Sequence, residues 1–150
     1  MVADQTFTIS QNSVFEEVQK TTGYIGAKLA DDGTAYDRIY AKPENKEILQ
    51  RFWDEAASGA TDVFKPFIKT LTVDTSYIAV ITPKSDFITS LTTSMNKSLF
   101  SYFVSYIVAK WNKFTNKQEI DTYMADAASA LKDVKRKLYY GKKPTVPTTL

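Results

Sequence analysis

The 150-residue chain contains no cysteine and no histidine. Without cysteine it has no disulfide bond, no thiolate metal ligand and no cysteine nucleophile. Without histidine it lacks the side chain that most often transfers protons near neutral pH and the commonest nitrogen ligand of zinc. These two absences argue against an enzyme, and we expect neither a cofactor nor a metal ion.

Motifs that bind nucleotides or hydrolyse substrates are also missing. The sequence has no phosphate-binding loop, no dinucleotide fingerprint and no nucleophile elbow. Asp31, Asp32 and Asp37 lie close to Gly33, but they lack the alternating oxygen ligands and the distal glutamate of an EF-hand. We therefore interpret this acidic stretch as a solvated turn.

Long hydrophobic runs are absent as well. No stretch approaches the roughly 18 to 20 apolar residues that a bilayer span needs, and the first residues, MVADQTFTIS, do not resemble a secretion signal. We expect a cytosolic protein without a membrane role. The chain is nevertheless 43% hydrophobic, with nine Phe, nine Tyr and two Trp, which is enough for the core of one domain.

Charge is unevenly distributed along the chain. Residues 1–62 contain eleven acidic and six basic residues, whereas residues 63–150 contain six acidic and thirteen basic ones. The asymmetry is either a chance feature of the surface or a sign that copies pack head to tail, with acidic parts facing basic parts.

The first half of the sequence predicts an extended arm and two helices. Residues 1–12 are polar with alternating apolar positions, which is typical of an arm or a short edge strand. Ser13 and Glu16 have the spacing of a capping box and predict a helix from about residue 13 to 30. A second apolar stripe predicts a helix over about 43–68.

Residues 70–82 are rich in β-branched and aromatic side chains and predict two short strands that can pair as a hairpin. A hairpin alone is marginally stable in water, so it must pair with something else. The partner is another part of the domain, the amino-terminal arm or a strand of a neighbouring subunit. For the last case we predict a second interface formed by Tyr77, Ile78, Ala79, Val80 and Ile81.

Two further helices complete the predicted fold. A helix over about 85–114 is apolar nearly all round its middle, so it is either the central helix of a bundle or is covered on one side by another chain. A fourth helix is predicted over about 117–140 and ends at Gly141. The fold class is mainly α: about four helices, a short β-hairpin between the second and third, and an extended carboxy-terminal tail. The expected divisions are 1–12 (arm), 13–141 (helical domain) and 142–150 (docking tail).

The fourth helix ends in a basic cluster, and a proline-containing tail follows it. Nucleic acid, a membrane surface and a partner protein are candidate ligands. Nucleic acid is disfavoured because the first half of the chain is acidic, and a membrane because the tail has no bulky apolar face. A tail that becomes ordered on a partner protein fits best. The predicted docking residues are Lys135, Arg136, Lys137, Tyr139, Tyr140, Lys142, Lys143 and Pro144.

Three segments, VQKTTGYIGAKLADDGTAYDRIY, YFVSYIVAKWNKFTNK and ADAASALKDVKRKLYYGKKP, carry a family resemblance. Together with the long helices and the short β element, they make the chain resemble head-tail connector (adaptor or neck) proteins of tailed bacteriophages and prophages, of the Bacteroides-associated type. The likeness extends over most of the chain, but no motif in it carries a chemical signature.

The resemblance implies a structural virion protein that forms a homo-oligomeric ring beneath the portal protein. It also implies that the carboxy-terminal segment reaches onto the portal or onto adjacent neck or tail proteins. Basic residues of such a ring would face DNA in the channel without reading its sequence. The alternatives are a DNA-associated accessory or regulatory protein, and another virion component such as a tail-completion or capsid-stabilising protein.

Overall fold

The computed structural model describes residues 2–28, 40–42, 45–115 and 120–141. Within these residues the chain forms four α-helices and a three-stranded antiparallel sheet. The prediction of a mainly helical fold with a small β element between the second and third helices is therefore confirmed. The acidic turn (Asp31, Asp32, Gly33 and Asp37) and the tail residues Lys142, Lys143 and Pro144 lie outside the described residues.

The sheet consists of β1 (Gln5–Ser10), β2 (Ile68–Val73) and β3 (Ser76–Ile81) in the order β1-β3-β2. The predicted hairpin is β2 and β3, which are joined by a two-residue turn and pair antiparallel. The amino-terminal strand β1 pairs with the other side of β3. A three-stranded sheet with one face on a hydrophobic core overcomes the marginal stability of an isolated hairpin.

The amino-terminal segment, predicted as an extended arm or a short edge strand over 1–12, forms strand β1 of the sheet. Phe7 and Ile9 of β1 are fully buried, and the Phe7 ring stacks on Phe64 with ring centroids 5.0 Å apart. The alternation of apolar and polar residues in this segment directs its apolar side chains into the core. The same alternating pattern had also indicated a short edge strand, and β1 is such a strand.

The four helices lie between and after the strands. They are α1 (Gln11–Lys28), α2 (Lys46–Phe64), α3 (Thr92–Thr115) and α4 (Ile120–Leu138). A short 3-10 turn, Lys65–Phe67, connects α2 to β2 and contains Pro66. Proline lacks the N–H group that an α-helix would need at this position, so the α-helix stops before it.

Two predicted helix starts differ from the structure. α1 begins at Gln11, and the hydroxyl oxygen of Ser10 accepts a hydrogen bond of 3.4 Å from the backbone N–H of Ser13. Ser10, the last residue of β1, therefore takes the capping role that the sequence suggested for Ser13. α3 begins at Thr92 and not near residue 85, because a 3-10 turn over Thr89–Leu91 precedes it.

Helix α3 is the central helix of the bundle. It packs against α1, α2, α4 and β1, and its residues Met95, Leu99, Phe103 and Ile107 are fully buried. The Phe103 ring lies 4.7 Å from the Trp53 ring and 5.4 Å from the Tyr77 ring, measured between centroids. Neighbouring elements of the same chain thus cover the apolar middle of α3.

A close approach between α2 and α3 depends on a glycine. The Tyr102 hydroxyl of α3 donates a hydrogen bond of 2.9 Å to the carbonyl oxygen of Ala56. A Cβ atom at Gly59 would collide with the Tyr102 hydroxyl oxygen. Gly59 weakens the intrinsic stability of α2 but lets the tyrosine reach the helix backbone.

Candidate docking surfaces

The last two turns of α4 carry a cluster of cations. We call this set the basic end: Lys132, Lys135, Arg136 and Lys137. Val134 and Leu138 are fully buried against the bundle. Lys132, Lys135 and Arg136 lie on the opposite side of the helix and are exposed. The structure therefore exposes two of the predicted docking residues, Lys135 and Arg136, on one helix end.

Asp133 lies within the basic end and partly neutralises it. Its carboxylate oxygens lie 2.7 Å from Arg136 Nη2 and 2.9 Å from Lys137 Nζ, and the Ser98 hydroxyl donates to it at 2.8 Å. The Lys137 ammonium group is the main reason that the pKa of Asp133 is below its usual value, and Ser98 and Arg136 add to the effect.

Lys137 serves the fold more than an open surface. Its side chain is 17% exposed, and besides Asp133 it donates to the hydroxyl group of Ser94 in α3. Its ammonium group thus holds α4 against α3, and the docking role of Lys137 stays a prediction. The net positive charge of the exposed surface rests mainly on Lys132 and Lys135, which make no ion pair with a described residue.

The start of the carboxy-terminal tail is fixed against the body of the protein. The ring of Tyr139 lies edge-on to the ring of Phe67, and Lys84 Nζ donates to the carbonyl oxygen of Tyr139 at 2.9 Å. The backbone of Gly141 forms an antiparallel bridge with Phe87. The last described residues therefore follow the body of the protein, with Tyr139 beside Phe67 and Gly141 beside Phe87.

Gly141 is needed at this exit for a steric reason. A Cβ atom at this position would collide with the carboxylate of Asp86, which also lies 3.4 Å from Lys84 Nζ. The sequence had suggested Gly141 only as a helix stop signal. In the structure the helix ends at Leu138, and Gly141 allows the close contact that follows.

The two neighbouring tyrosines differ in their surroundings. The Tyr139 ring contacts Phe67. The two side chains are nevertheless exposed to a similar extent, 46% for Tyr139 and 49% for Tyr140. Half-exposed tyrosines next to cations are common anchors of protein interfaces, because the ring contributes area at low entropic cost. Both positions thus remain candidate docking residues.

The predicted second interface over Tyr77–Ile81 needs correction. These residues form β3, the central strand, which is paired with β1 on one side and β2 on the other. Tyr77, Ala79 and Ile81 are fully buried, and Ile78 and Val80 are partly exposed on the opposite face. No edge of β3 is free for a neighbouring strand, so strand addition there is ruled out by pairing inside the domain.

Strand β2 is one of the two edge strands of the sheet, and sequence reasoning did not single it out. Leu71 and Val73 are 38% and 41% exposed, although they are large apolar residues in a strand. No described residue pairs with their outer side. The signal in the sequence was weak, since the polar Thr residues of IKTLTV gave no hint of which strand lies at the edge.

The described part of the chain has neither a candidate metal site nor a candidate membrane span. It contains no cluster of three or more acidic side chains arranged to hold a metal ion. Over the same residues, none of the helices combines the length and the hydropathy needed to cross a bilayer.

Comparisons with known proteins identify no relative. No protein-family model matches the chain, and neither a curated protein nor a solved structure is significantly similar to it.

Proposed function

We propose that this chain is a structural virion protein that forms a ring at the neck of a tailed bacteriophage or prophage. In this role it joins the portal protein to the adjacent neck or tail proteins and docks through its basic carboxy-terminal region. The protein acts by assembly, without catalysis and without a cofactor. The resemblance of the three quoted segments to head-tail connector proteins is the origin of the proposal.

The observation that carries the proposal is the arrangement at the carboxy-terminal end of the domain. The exposed cations Lys132, Lys135 and Arg136 lie on the last turns of α4, immediately before the half-exposed Tyr139 and Tyr140. Gly141, which precedes the tail in the sequence, is fixed by its backbone bridge to Phe87. Cations that steer an encounter and aromatic rings that anchor it are the components of a protein-docking surface.

A DNA-associated accessory role is the second candidate, and the exposed cations of the basic end favour it. Arg136 is, however, held by Asp133, and that carboxylate repels phosphate. The salt dependence of DNA binding distinguishes the two functions. A DNA-binding protein would bind duplex DNA with an affinity that falls steeply as salt rises, whereas a connector would bind DNA weakly and non-specifically.

The decisive experiment measures the mass and symmetry of the particle that the full chain forms, alone and with the portal protein of the same phage or prophage. We expect a closed ring seated on the portal, seen by native mass spectrometry and electron microscopy. A chain that stays monomeric under both conditions would contradict the proposal. A chain cut after Gly141 should keep its helical content and lose portal binding if the tail is the docking element.

A further inference from the structure

A groove lies between α2 and β2, and we call it the α2/β2 groove. It has a volume of about 480 Å³. Leu71 and Val73 form its apolar wall on β2, and Asp54, Ser58 and Asp62 line it from α2. The groove is therefore apolar on the strand side and acidic on the helix side.

The apolar wall of the groove is an uncovered part of the core face of the sheet. Leu71 lies directly opposite Ala79 and Val73 opposite Tyr77, so all four side chains point to the same face. Ala79 and Tyr77 are fully buried beneath the helices, whereas Leu71 and Val73 are not. The core face thus extends one strand further than the helices that cover it.

The backbone beside this wall is also free. Asp74 N–H donates to the carbonyl oxygen of Ser76, which places the inward hydrogen bonds of β2 at Thr70, Thr72 and Asp74. Because alternate residues of a strand point their N–H and C=O groups in opposite directions, those of Leu71 and Val73 point away from the sheet. An extended segment added here would pair with the same residues whose side chains need covering.

We propose that the α2/β2 groove receives residues 142–150, KKPTVPTTL, of a neighbouring copy of this chain. The inference rests on the proposed function, which has copies packed side by side in a ring, and names the surface that accepts the tail. The exposed cations of α4 then remain available for the portal. Docking would add a fourth strand to the sheet, a recognised mode of peptide binding.

Charge favours the tail over another copy of β2 as the occupant. Asp54 and Asp62 are exposed and make no ion pair with a described residue. Two such grooves placed edge to edge would bring like charges together, whereas Lys142 and Lys143 of a tail bring the opposite charge.

The order of residues in the tail fits this edge. Val146 and Leu150 have the same parity and so lie on one face of a strand. In antiparallel pairing their side chains enter the groove when Val146, Thr148 and Leu150 bond to β2. Pro147 then occupies a position whose N–H group would face away from β2, where proline is tolerated because no hydrogen bond is lost. The even-numbered Pro144 sits before the paired segment, which begins at Thr145.

Distance favours a neighbouring copy as the donor. Tyr139 contacts Phe67 at the beginning of β2, and the chain continues to Gly141 beside Phe87. An antiparallel partner must instead enter at Val73, the other end of β2, and six residues of strand span roughly 20 Å. The four steps from Gly141 to Thr145, where the paired segment begins, span at most about 14 Å. The tail of the same copy is too short to enter the groove in this direction.

A binding experiment tests the groove directly. Fluorescent peptides with the sequence of residues 142–150 are titrated into the full-length Thr148→Pro protein, whose own tail cannot pair. We expect the native peptide and a peptide with Thr149→Pro to bind within about threefold of each other, because residue 149 points its N–H outward. A peptide with Thr148→Pro should bind about tenfold more weakly or not at all, because it loses pairing.

Two outcomes overturn the groove assignment: no binding of the native peptide, or equal effects of the two proline substitutions. Substituting the acceptor gives an independent check. The double variant Leu71→Lys/Val73→Lys, made in the Thr148→Pro protein, should lose the native peptide while keeping its far-UV circular dichroism. Unchanged binding to this folded variant also overturns the assignment.

Mixing complementary variants tests whether the donor is another copy. Full-length Leu71→Lys/Val73→Lys protein keeps a tail that can pair but has a disabled groove. Full-length Thr148→Pro protein keeps an intact groove but has a tail that cannot pair. We expect a heterodimer from the mixture and monomers from each variant, measured by sedimentation velocity at matched concentration. If the peptide binds but the mixture yields no heterodimer, the tail of the same copy is the occupant and the neighbouring-copy assignment fails.

These results are separable from a failure of the proposed function. If both the Thr148→Pro and the Thr149→Pro proteins form rings on the portal, the neck role stands. Tail pairing in the groove would then not be needed for it. Conversely, tail exchange between copies that never bind a portal would support the groove and contradict the neck role.

Discussion

Tyr139 lies edge-on against Phe67, with ring centroids 5.4 Å apart, and this contact ties the end of α4 to the beginning of β2. Tyr140, the next residue, is exposed to a similar degree. Two adjacent tyrosines with such different neighbours form a natural pair for testing what fixes the exit of the tail.

We expect Tyr139→Ala to lower the free energy of unfolding by about 1 kcal/mol, because an aromatic pair and its buried area are lost. Tyr140→Ala should change it by less than about 0.5 kcal/mol, as is usual for exposed positions. Urea denaturation of both variants measures the difference. Equal losses at the two positions would show that the Phe67 contact does not stabilise the exit.

Gly59 and Tyr102 should be energetically coupled. Gly59→Ala gains helix propensity of about 1 kcal/mol, yet the added methyl group collides with the Tyr102 hydroxyl. We expect a net loss of about 1 to 2 kcal/mol, typical of overpacking. Removing the hydroxyl with Tyr102→Phe should relieve the collision, so the double variant should be more stable than Gly59→Ala alone.

A double-mutant cycle from thermal or urea denaturation quantifies this coupling. Tyr102→Phe by itself should cost about 1 kcal/mol, since the hydrogen bond to Ala56 is lost. Strict additivity of the two substitutions would mean that α2 and α3 separate slightly to accept the methyl group.

Asp133 should make stability depend on pH in the acid range. Its pKa in the folded protein is lowered from 3.8, chiefly by the hydrogen bond from Lys137. A lowered folded-state pKa contributes stability that is present above the unfolded-state value and is lost as pH falls below it. We expect Asp133→Asn to reduce the melting temperature at pH 7, and the difference from the native protein to shrink between about pH 4 and pH 2.

The matched control for this pH effect is Asp126→Asn. Asp126 is exposed on the same helix and makes no ion pair with a described residue. Its substitution should leave the melting temperature nearly unchanged at every pH. A constant difference between the Asp133→Asn and native proteins from pH 7 to pH 2 would contradict the assigned role of the carboxylate.

Asn112 is a buried polar residue that costs stability. It is fully buried in α3, and neither side-chain amide atom has a hydrogen-bond partner among the described residues. We expect Asn112→Leu to raise the free energy of unfolding by about 1 kcal/mol, because burying an unpaired amide is unfavourable. Urea denaturation measures the change, and a clear loss of stability would mean that the amide is satisfied in solution.

Gln11 provides the opposite case in the same core. It is also buried, but its Nε2 atom donates to Gln50 Oε1 at 2.7 Å. Gln11→Leu should therefore lower stability by about 1 kcal/mol, because the bond is lost and the Gln50 side chain loses a partner. The two substitutions share the same new residue and differ in whether a hydrogen bond is broken.

The sequence was a good guide where burial follows a simple period. Helix α4 and the hairpin were predicted from their apolar residues, and Val134, Leu138, Tyr77 and Ile81 of these elements are buried. Helix starts were less predictable, because a capping serine acts only where the preceding strand ends. Ser13 has a glutamate at the capping-box spacing and Ser10 does not, yet Ser10 caps α1 because β1 ends there.

Surfaces were harder to predict than elements. The exposed cations of α4 follow from helical spacing, but the use of Lys137 in the contact with α3 depends on Ser94, which lies far away in the sequence. The strand chosen for a second interface was the central one, since strand order is decided by long-range pairing. The α2/β2 groove depends on where α2 stops covering the sheet, which no local pattern specifies.

The pairing of β1 with β3 also has a consequence for synthesis on the ribosome. Gln5 is made long before its partner Ile81, which follows only after α1, α2 and β2. The newborn chain must therefore hold Phe7 and Ile9 unpaired until β3 has been made, with their apolar side chains accessible to chaperones. Native structure in the amino-terminal half has to wait for the hairpin to clear the exit tunnel.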